Sequence, residues 1–388
     1  MGKIKNKIIV VGADHYNALG VIRSLGESGI KPIFILVSEE KYCMSSASKY
    51  IEKLIRVNSK SFDDVLPILE REFNNLKNKP ILIPTGDPVA CFLDKNYKKL
   101  SEKYILPNIN DTEGMIIKHM DKIFQENLCI KNNVSIAKSD LINLMDYSET
   151  IIDKLPNKVI IKPVSSFEGK KKDIVISDNK KELMKLLDKF KETGYKQVLV
   201  QEFLDYDMEY AMMGMSYQGK VIIPGINSNN YIYPSGRGNT SYAEMFPVND
   251  FMFDISDIET MISKMNFTGL FEVEMFKVGD KLYFNEMNFR NSANLFAYSG
   301  NKINYIYLYL LLVTGNDLCN EKIYVDKHYN FCVETLHLGN VKERKISLIE
   351  CLVHIFSSTK LIFNLKDLKP FFVKFWLSIY RRIFRRFN

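Results

Sequence analysis

Residues 271–290, FEVEMFKVGDKLYFNEMNFR, decide how this chain is read. Alternating apolar and polar residues flank Gly279-Asp280, the pattern of strand, tight turn and strand. With a loop of Gly279-Asp280-Lys281, Glu274 falls opposite Glu286, and Asn288 shares their face because strand side chains repeat every second residue. Like charges directly opposed destabilise a strand pair. That face therefore either meets water, as in an ordinary solvated hairpin, or holds a cation. Arg290 follows two residues later, so two carboxylates, an amide oxygen and a guanidinium converge within a short stretch. Mg2+ bound to a polyphosphate needs such a set, since it takes one or two carboxylates and completes its octahedron with phosphate and water.

The chain has 388 residues, enough for two or three compact units with a substantial core. Cys43, Cys91, Cys129, Cys319, Cys332 and Cys351 are scattered without a CxxC pair, and no histidine stands at ligand spacing. They are expected as isolated buried thiols rather than zinc ligands or disulfides. The five histidines are equally dispersed, which gives no support to a zinc hydrolase or a histidine-based triad. At the start of the chain only Ile8 to Val11 is continuously apolar, too short for a secretory signal core, so a cytoplasmic location is expected. The net charge of +7 is unevenly placed. From Val341 onward eleven Lys and Arg face three acids, a net of +8, which leaves 42 basic against 43 acidic residues, or −1, in the first 340. A nucleic-acid-binding body would carry its own basic face, so no nucleic acid is expected and the basic tail points to a local anionic partner.

Residues 7–37 read as strand (KIIVV), loop (GADHYNALG), helix through Val21, Ile22 and Leu25, and strand (PIFILV). This is the βαβ opening of an open α/β sheet, whose crevice lies at the carboxyl ends of its strands. A second such edge is KPILIPTGD, ending at Asp87. Asp14, Asn17 and Asp87 are candidates for lining one small-molecule pocket, with turn-forming and capping roles as the competing reading. GxGxxG is absent. Further on, the strand KVIIKP ends at Lys162-Pro163 and runs into SSFEGKKKD, a small, polar, glycine-containing loop suited to covering phosphates. QVLVQEF, residues 197–203, is another strand, followed by a hairpin. Residues 231–244, YIYPSGRGNTSYAE, read as a mobile substrate-contacting loop or a long surface connection.

In order, Lys122, VIIKP with its glycine-containing loop, VQEFL with a downstream Glu, VEMF and NEMNFR resemble the ATP-grasp superfamily over about Leu106 to Gly315. The region before them resembles the N-terminal sheet domain of carboxylate-amine ligases such as D-aspartate and D-alanine-D-alanine ligases. The fold class expected is α/β, with an N-terminal open parallel sheet domain (1–110), a two-lobed ATP-grasp α+β unit (small lobe 111–195, large lobe 196–330) and a C-terminal amphipathic helical tail (331–388). The resemblance implies ATP and Mg2+ as cofactors, with Mn2+ as a substitute. Lys122 and Lys162 match the lysines on the nucleotide phosphates, and Ser165, Ser166 and Gly169 lie in the phosphate loop. Gln201, Glu202, Phe203 and Leu204 match the segment between the lobes, where Glu202 and neighbouring backbone groups read the adenine edge. Glu209 is similar to the ribose-binding acid, with Asp207 as its competitor. Glu274, Glu286 and Asn288 match the metal ligands, and Arg290 matches the cation at the transferring phosphoryl group. Arg237 is a candidate for holding the substrate carboxylate. The implied activity is amide formation between a carboxylic acid and an amine through an acyl phosphate. The alternatives are an ATP-grasp enzyme passing an activated carboxylate or bicarbonate to a different acceptor, and a nucleotide-binding membrane adaptor without turnover. A nucleic-acid-binding protein using the tail is a further one.

On a helix at about 100° per residue, Phe372, Trp376, Leu377, Ile379, Tyr380, Ile383, Phe384 and Phe387 gather on one side. Lys374, Arg381, Arg382, Arg385 and Arg386 fall on the other. This profile fits residues 371–387 lying in an anionic membrane interface, peripheral on the inner face. Packing on the body or on a second subunit in a homodimer is the competing reading. Some ligases of this kind modify cell-envelope or capsule precursors, and a surface-bound enzyme suits a lipid-linked acceptor.

Overall fold

The computed structural model describes residues 4–73, 76–164, 173–235 and 238–384. Ser165, Ser166, Gly169 and Arg237 lie outside the described residues, as do Arg385, Arg386 and Phe387 of the tail.

Three sheets organise the chain. The first is fully parallel, in the order β3-β2-β1-β4, from β1 (Ile8–Gly12), β2 (Ile33–Val37), β3 (Lys53–Val57) and β4 (Ile81–Pro84). Every residue of β1, β2 and β4 is buried, as expected for parallel strands covered on both faces. Gly12 ends β1 against Thr85, whose Oγ1 would lie 1.9 Å from a Cβ at that position, so only glycine lets these two strand ends close together. A short β5 (Asn108–Ile109) then pairs with β13 of the large sheet.

The second sheet is antiparallel, in the order β6-β9-β7-β8, from β6 (Ser139–Asn143), β7 (Val159–Pro163), β8 (Val175–Ser177) and β9 (Gln197–Glu202). It has its own core, in which Val159, Ile161, Val198 and Val200 meet Leu183 and Leu187 of the Lys180–Glu192 helix.

The third sheet comprises β10 (Met208–Tyr217), β11 (Lys220–Tyr233), β12 (Asn239–Phe246), β13 (Phe267–Val278), β14 (Lys281–Asn288), β15 (Tyr329–Cys332) and β16 (Thr359–Lys360). Its order is β14-β13-β10-β11-β12-β15-β16. It shares a core with the first sheet, because the Tyr16–Glu27 helix packs Leu19 and Ile22 with Phe296, Tyr305 and Leu270.

One loop reading and the extent of the tail are corrected. The 231–244 stretch is mostly strand: β11 continues to Tyr233 and β12 resumes at Asn239, with Tyr231 facing Tyr242. Its alternating aromatic and β-branched residues outweigh the glycines in setting its conformation. The 331–388 segment is not all tail. It supplies part of β15 and all of β16, and its Asp367 forms a buried ion pair with Arg23 (Nε to Oδ2, 3.1 Å). Five cysteines are buried, whereas Cys319 is exposed.

Candidate active site

The hairpin of β13 and β14 turns in two residues, Gly279-Asp280, not three: Val278 pairs with Lys281 and Phe276 with Tyr283. Gly279 adopts φ +57°, and Asp207 secures the turn by accepting the Gly279 N–H at 2.8 Å. A β-bulge between Glu274 and Met275 leaves Asn285 as an extra residue on β14. The bulge offsets the shorter turn, so Glu274 does face Glu286, and Glu272 faces Asn288. Asn285 donates to Glu274 Oε2 at 3.2 Å, and Asn288 Nδ2 lies 3.5 Å from Glu274 Oε1. Asp207 is thus committed to the hairpin, where it also lies 3.7 Å from Lys277.

The same sheet face continues across β10 and β11. Ala211 stands opposite Glu274, so a minimal side chain lies beside the acids. Glu209, two residues earlier, accepts from Asn229 Nδ2 at 2.7 Å, and Asn229 Oδ1 in turn accepts from Asn227 at 2.8 Å. On the outer side, Gln125 clamps the β14 edge: its amide donates to Met287 O (2.8 Å) and accepts from Met287 N (3.0 Å). Gln125 belongs to the Lys122–Lys131 helix, capped by Asp121 through Phe124 N at 2.9 Å. This places Lys122 on the first helical residue, where the helix dipole adds to its positive charge.

Lys162 projects from β7 and donates to Gln201 Oε1 on β9 at 2.8 Å. Gln201 donates to Glu126 at 3.2 Å, and Ser139 also bonds Glu126. Burial, reinforced by Lys122, lowers the Lys162 ammonium to a pKa of about 8, opposed by Glu286, Glu126 and Glu274. A cleft between the small sheet and the hairpin is lined by Lys122, Glu126, Lys162, Gln201 and Phe284. Nearby, the Glu202 and Phe203 N–H groups are already bonded to Lys138 O (2.8 Å) and Lys158 O (3.1 Å), so neither donates to a base edge. The Phe203 ring instead carries Lys158 Nζ over its face, 4.2 Å from the centroid.

Lys122 also lines a cavity of about 560 Å³ that holds Glu209, Glu272, Glu274, Glu286, Asn288 and Arg290 and reaches the loops after β1 and β4. Those loops and the first turns of the helices that follow them contribute His15, Asn17 and Asp87. Arg290 is the junction: Nη1 lies 2.6 Å from Glu272 Oε2, and Nε lies 3.2 Å from Asp87 Oδ1. Burial works against the guanidinium charge, but Asp87 and Glu272 outweigh it and raise the pKa of Arg290. Glu272 also accepts from Ser292 Oγ. It was absent from the sequence-derived site, although its position two residues before Glu274 puts it on the same strand face. Asn17 is in place, exchanging bonds with Asn291. Asp14 is not: both its oxygens cap Met44 and Ser45, at 3.0 and 2.8 Å.

Residues present suit a divalent cation. Burial, then Glu272 and Glu286, raise the pKa of Glu274 well above the ordinary carboxyl range, so without a cation this cluster retains a proton. Among the described residues no group of three or more His, Cys, Asp or Glu side chains converges on one metal position. Two carboxylates and an amide remain, the sparse protein ligation typical of Mg2+ shared with phosphates.

Residues 127–293 match the family model of the ATP-grasp domain. No curated protein matches the sequence. Among solved structures, the fold is shared with N5-carboxyaminoimidazole synthetase from Staphylococcus aureus complexed with ADP (TM-score 0.65, 15% identity, 88% of this chain and 86% of that one). It is also shared with an L-amino acid ligase from Bacillus licheniformis (TM-score 0.62, 14% identity, 84% and 80%). A third is the biotin carboxylase domain of Hydrogenobacter thermophilus 2-oxoglutarate carboxylase, in complex with MgADP, ADP and bicarbonate (TM-score 0.64, 16% identity, 84% and 73%). The segment of this chain that matches the ATP-grasp domain thus spans the strands that carry Lys162, Glu274 and Glu286, and the fold of the chain is held in common with these three structures.

Proposed function

We propose that this protein is an ATP-dependent carboxylate-amine ligase working on a membrane surface. The observation that carries the chemistry is the opposed pair Glu274–Glu286 facing a cavity in which Lys122 and Arg290 supply the counter-charge. In the proposed reaction a substrate carboxylate oxygen bonds to the γ-phosphorus of ATP and ADP leaves. The amine lone pair then attacks the acyl carbon, phosphate departs and the nitrogen gives up its proton. Glu274, Glu286 and Asn288 would hold Mg2+, which when bound neutralises charge on the phosphates. Lys122 and Lys162 bind phosphoryl oxygens, and Arg290, oriented by Glu272 and Asp87, stabilises charge on the transferring group. Losing one preorganised donor of this kind costs about 3 to 4 kcal/mol. Gln201 to Leu204, by groups other than the bonded Glu202 and Phe203 N–H, and Glu209 hold the nucleoside.

Phosphate release from Mg·ATP by the purified protein, across a panel of amino acids, sugar acids and bicarbonate alone and paired with amines, tests this reading. Release that requires both an acid and an amine supports it; release with an acid or bicarbonate and no incorporated amine refutes the amide-forming step.

Two further outcomes are expected. Because Lys162 titrates near a pKa of about 8 in the free protein, ATP binding is strongest below that pH. It weakens by up to about tenfold per unit above it, as the ammonium is lost. Calorimetric titrations at pH 7, 8 and 9 should show this trend, and Lys162→Met should remove it. Glu272→Gln leaves Arg290 in place but loosens its orientation. We expect kcat to fall on the order of tenfold to hundredfold with KM for ATP unchanged, read from initial rates.

The membrane part of the reading rests on the Lys369–Phe384 helix. Pro370 and Leu377 are buried against the body and Phe371 packs on Phe363, so one stripe is anchored and Leu377 does not belong to the outer face. Phe372, Phe375, Trp376, Ile379 and Tyr380 form a second, exposed stripe at spacings of three and four. No helix among the described residues is long and apolar enough to cross a membrane. Aromatics beside clustered arginines suit a bilayer interface. The helix also packs on the N-terminal domain, where Trp376 meets Tyr42 edge-on at 5.3 Å. Burial, followed by the charge of Lys374, lowers the pKa of cavity-lining His15 to about 4. A lipid-linked acceptor of the kind used in cell-envelope synthesis fits this placement.

A further inference from the structure

The exposed stripe of the tail helix is only part of the apolar surface at this end of the chain. The Leu348–Ser357 helix is amphipathic with its apolar side outward. Cys351 faces the body, while Leu348, Ile349, Leu352, Val353 and Phe356 are exposed, with Ile349 and Phe356 each 76% accessible. These positions follow the three- and four-residue spacing of one helix face. A soluble helix packs that face inward, whereas here the polar side does the anchoring. Glu350 accepts from Tyr231 Oη at 3.1 Å, and His354 stacks on Tyr242 with centroids 4.2 Å apart. Leu365, 78% accessible, follows in the connection to the tail helix.

Of the 23 large hydrophobic side chains exposed among the described residues, eleven fall between Leu348 and Tyr380, a span of 33 residues. Scattered single exposures are ordinary, but such concentration marks an interaction surface. Its occupant follows from charge. The same end of the chain, from Val341 onward, carries +8 against −1 for everything before it. Lys342, Arg344 and Lys345 precede the apolar helix, and in the sequence the arginine pairs 381–382 and 385–386 follow Tyr380. A second copy of this chain would bring like charge to like charge, whereas an anionic bilayer offers the complement. Leu365 follows Phe356 by nine positions, which bounds their separation at about 30 Å, within the reach of one protein footprint.

Resting on the membrane reading of the tail, we infer that the Leu348–Ser357 helix is a second docking element. Its Leu348, Ile349, Leu352, Val353 and Phe356 stripe enters the same anionic lipid surface as the aromatic stripe of the tail helix. Two contact elements restrict rotation about the tail and set the angle at which the cavity meets the membrane.

The test is co-sedimentation of the full-length protein with vesicles of phosphatidylcholine containing phosphatidylglycerol, with size-exclusion light scattering in parallel. Ile349→Ser/Phe356→Ser and Phe375→Ser/Trp376→Ser are compared with wild type, all side chains being exposed so that folding is spared. A tenfold or greater loss of vesicle binding in each double variant is expected, with circular dichroism unchanged. Loss with the tail variant and none with Ile349→Ser/Phe356→Ser would overturn this inference while leaving the tail reading intact. Absence of wild-type binding overturns both. A wild-type dimer that Ile349→Ser/Phe356→Ser converts to monomer, without loss of vesicle binding, would show that the stripe joins two copies of the chain instead.

Discussion

Glu286→Gln is expected to reduce Mg2+-dependent phosphate release by roughly a thousandfold, corresponding to about 4 kcal/mol of transition-state stabilisation. The substitution keeps the shape and the β13–β14 pairing but removes a charge directly opposite Glu274. It should therefore not harm the fold. In metal-free protein it should help, because the pKa of Glu274 is raised by burial first and then by Glu272 and Glu286. A carboxyl group with a raised folded-state pKa binds more protons in the native than in the unfolded state. Its contribution to stability is complete below the unfolded pKa and is lost as pH rises through the folded value. Metal-free wild type should accordingly lose stability as pH climbs above the ordinary carboxyl range, with Mg·ATP restoring it. Glu286→Gln should lose less. Thermal melts from pH 4 to 8, with and without Mg·ATP, measure both effects. A variant that turns over normally would refute the metal-site assignment.

Asp367→Ala should destabilise the protein by about 3 to 5 kcal/mol, the usual consequence of leaving a buried charge without its partner. Arg23 is fully buried in the first helix; it reaches Asp367 Oδ2 at 3.1 Å, Asp367 O at 2.9 Å and Leu361 O at 3.1 Å. Asp367 also accepts from Ser48 Oγ (2.8 Å) and Lys49 N (3.0 Å). Removing it strands a guanidinium, a hydroxyl and an amide together. Urea unfolding should show the loss. Arg23→Met/Asp367→Leu should recover much of it, since apolar replacement of both partners removes the desolvation cost. Asp367 stands two residues before the tail helix, so Asp367→Ala should also loosen the base of the proposed docking surface. Faster proteolysis beyond Leu361 would report that loosening.

The acidic hairpin was legible because alternation and a turn dipeptide are local signals. Even so, the pairing of Glu274 with Glu286 was reached through a three-residue loop, whereas the protein uses a two-residue turn and a bulge at Asn285. A bulge depends on what packs around the strand and leaves no mark in periodicity. Glu272 had the right spacing but no local reason to be chosen. Its partners, Arg290 and Ser292, lie 18 and 20 positions away. Asp14 and Asp87 look alike at the ends of strands, yet one caps residues 44–45 and the other meets Arg290. Competing hydrogen-bond partners from distant segments decide between them.

By itself the sequence determined the α/β opening, the opposed acids and the amphipathic tail, because each follows from periods of two or 3.6 residues, while the two-lobed plan and the choice of Lys122 and Lys162 came from the resemblance to the ATP-grasp superfamily. Only the tertiary structure decided which carboxylates meet Arg290, which side of the tail helix is anchored and that the Leu348–Ser357 helix turns its apolar side outward. A helical pattern states that two faces differ; which of them meets the body depends on partners contributed by remote parts of the chain, here Tyr231 and Tyr242.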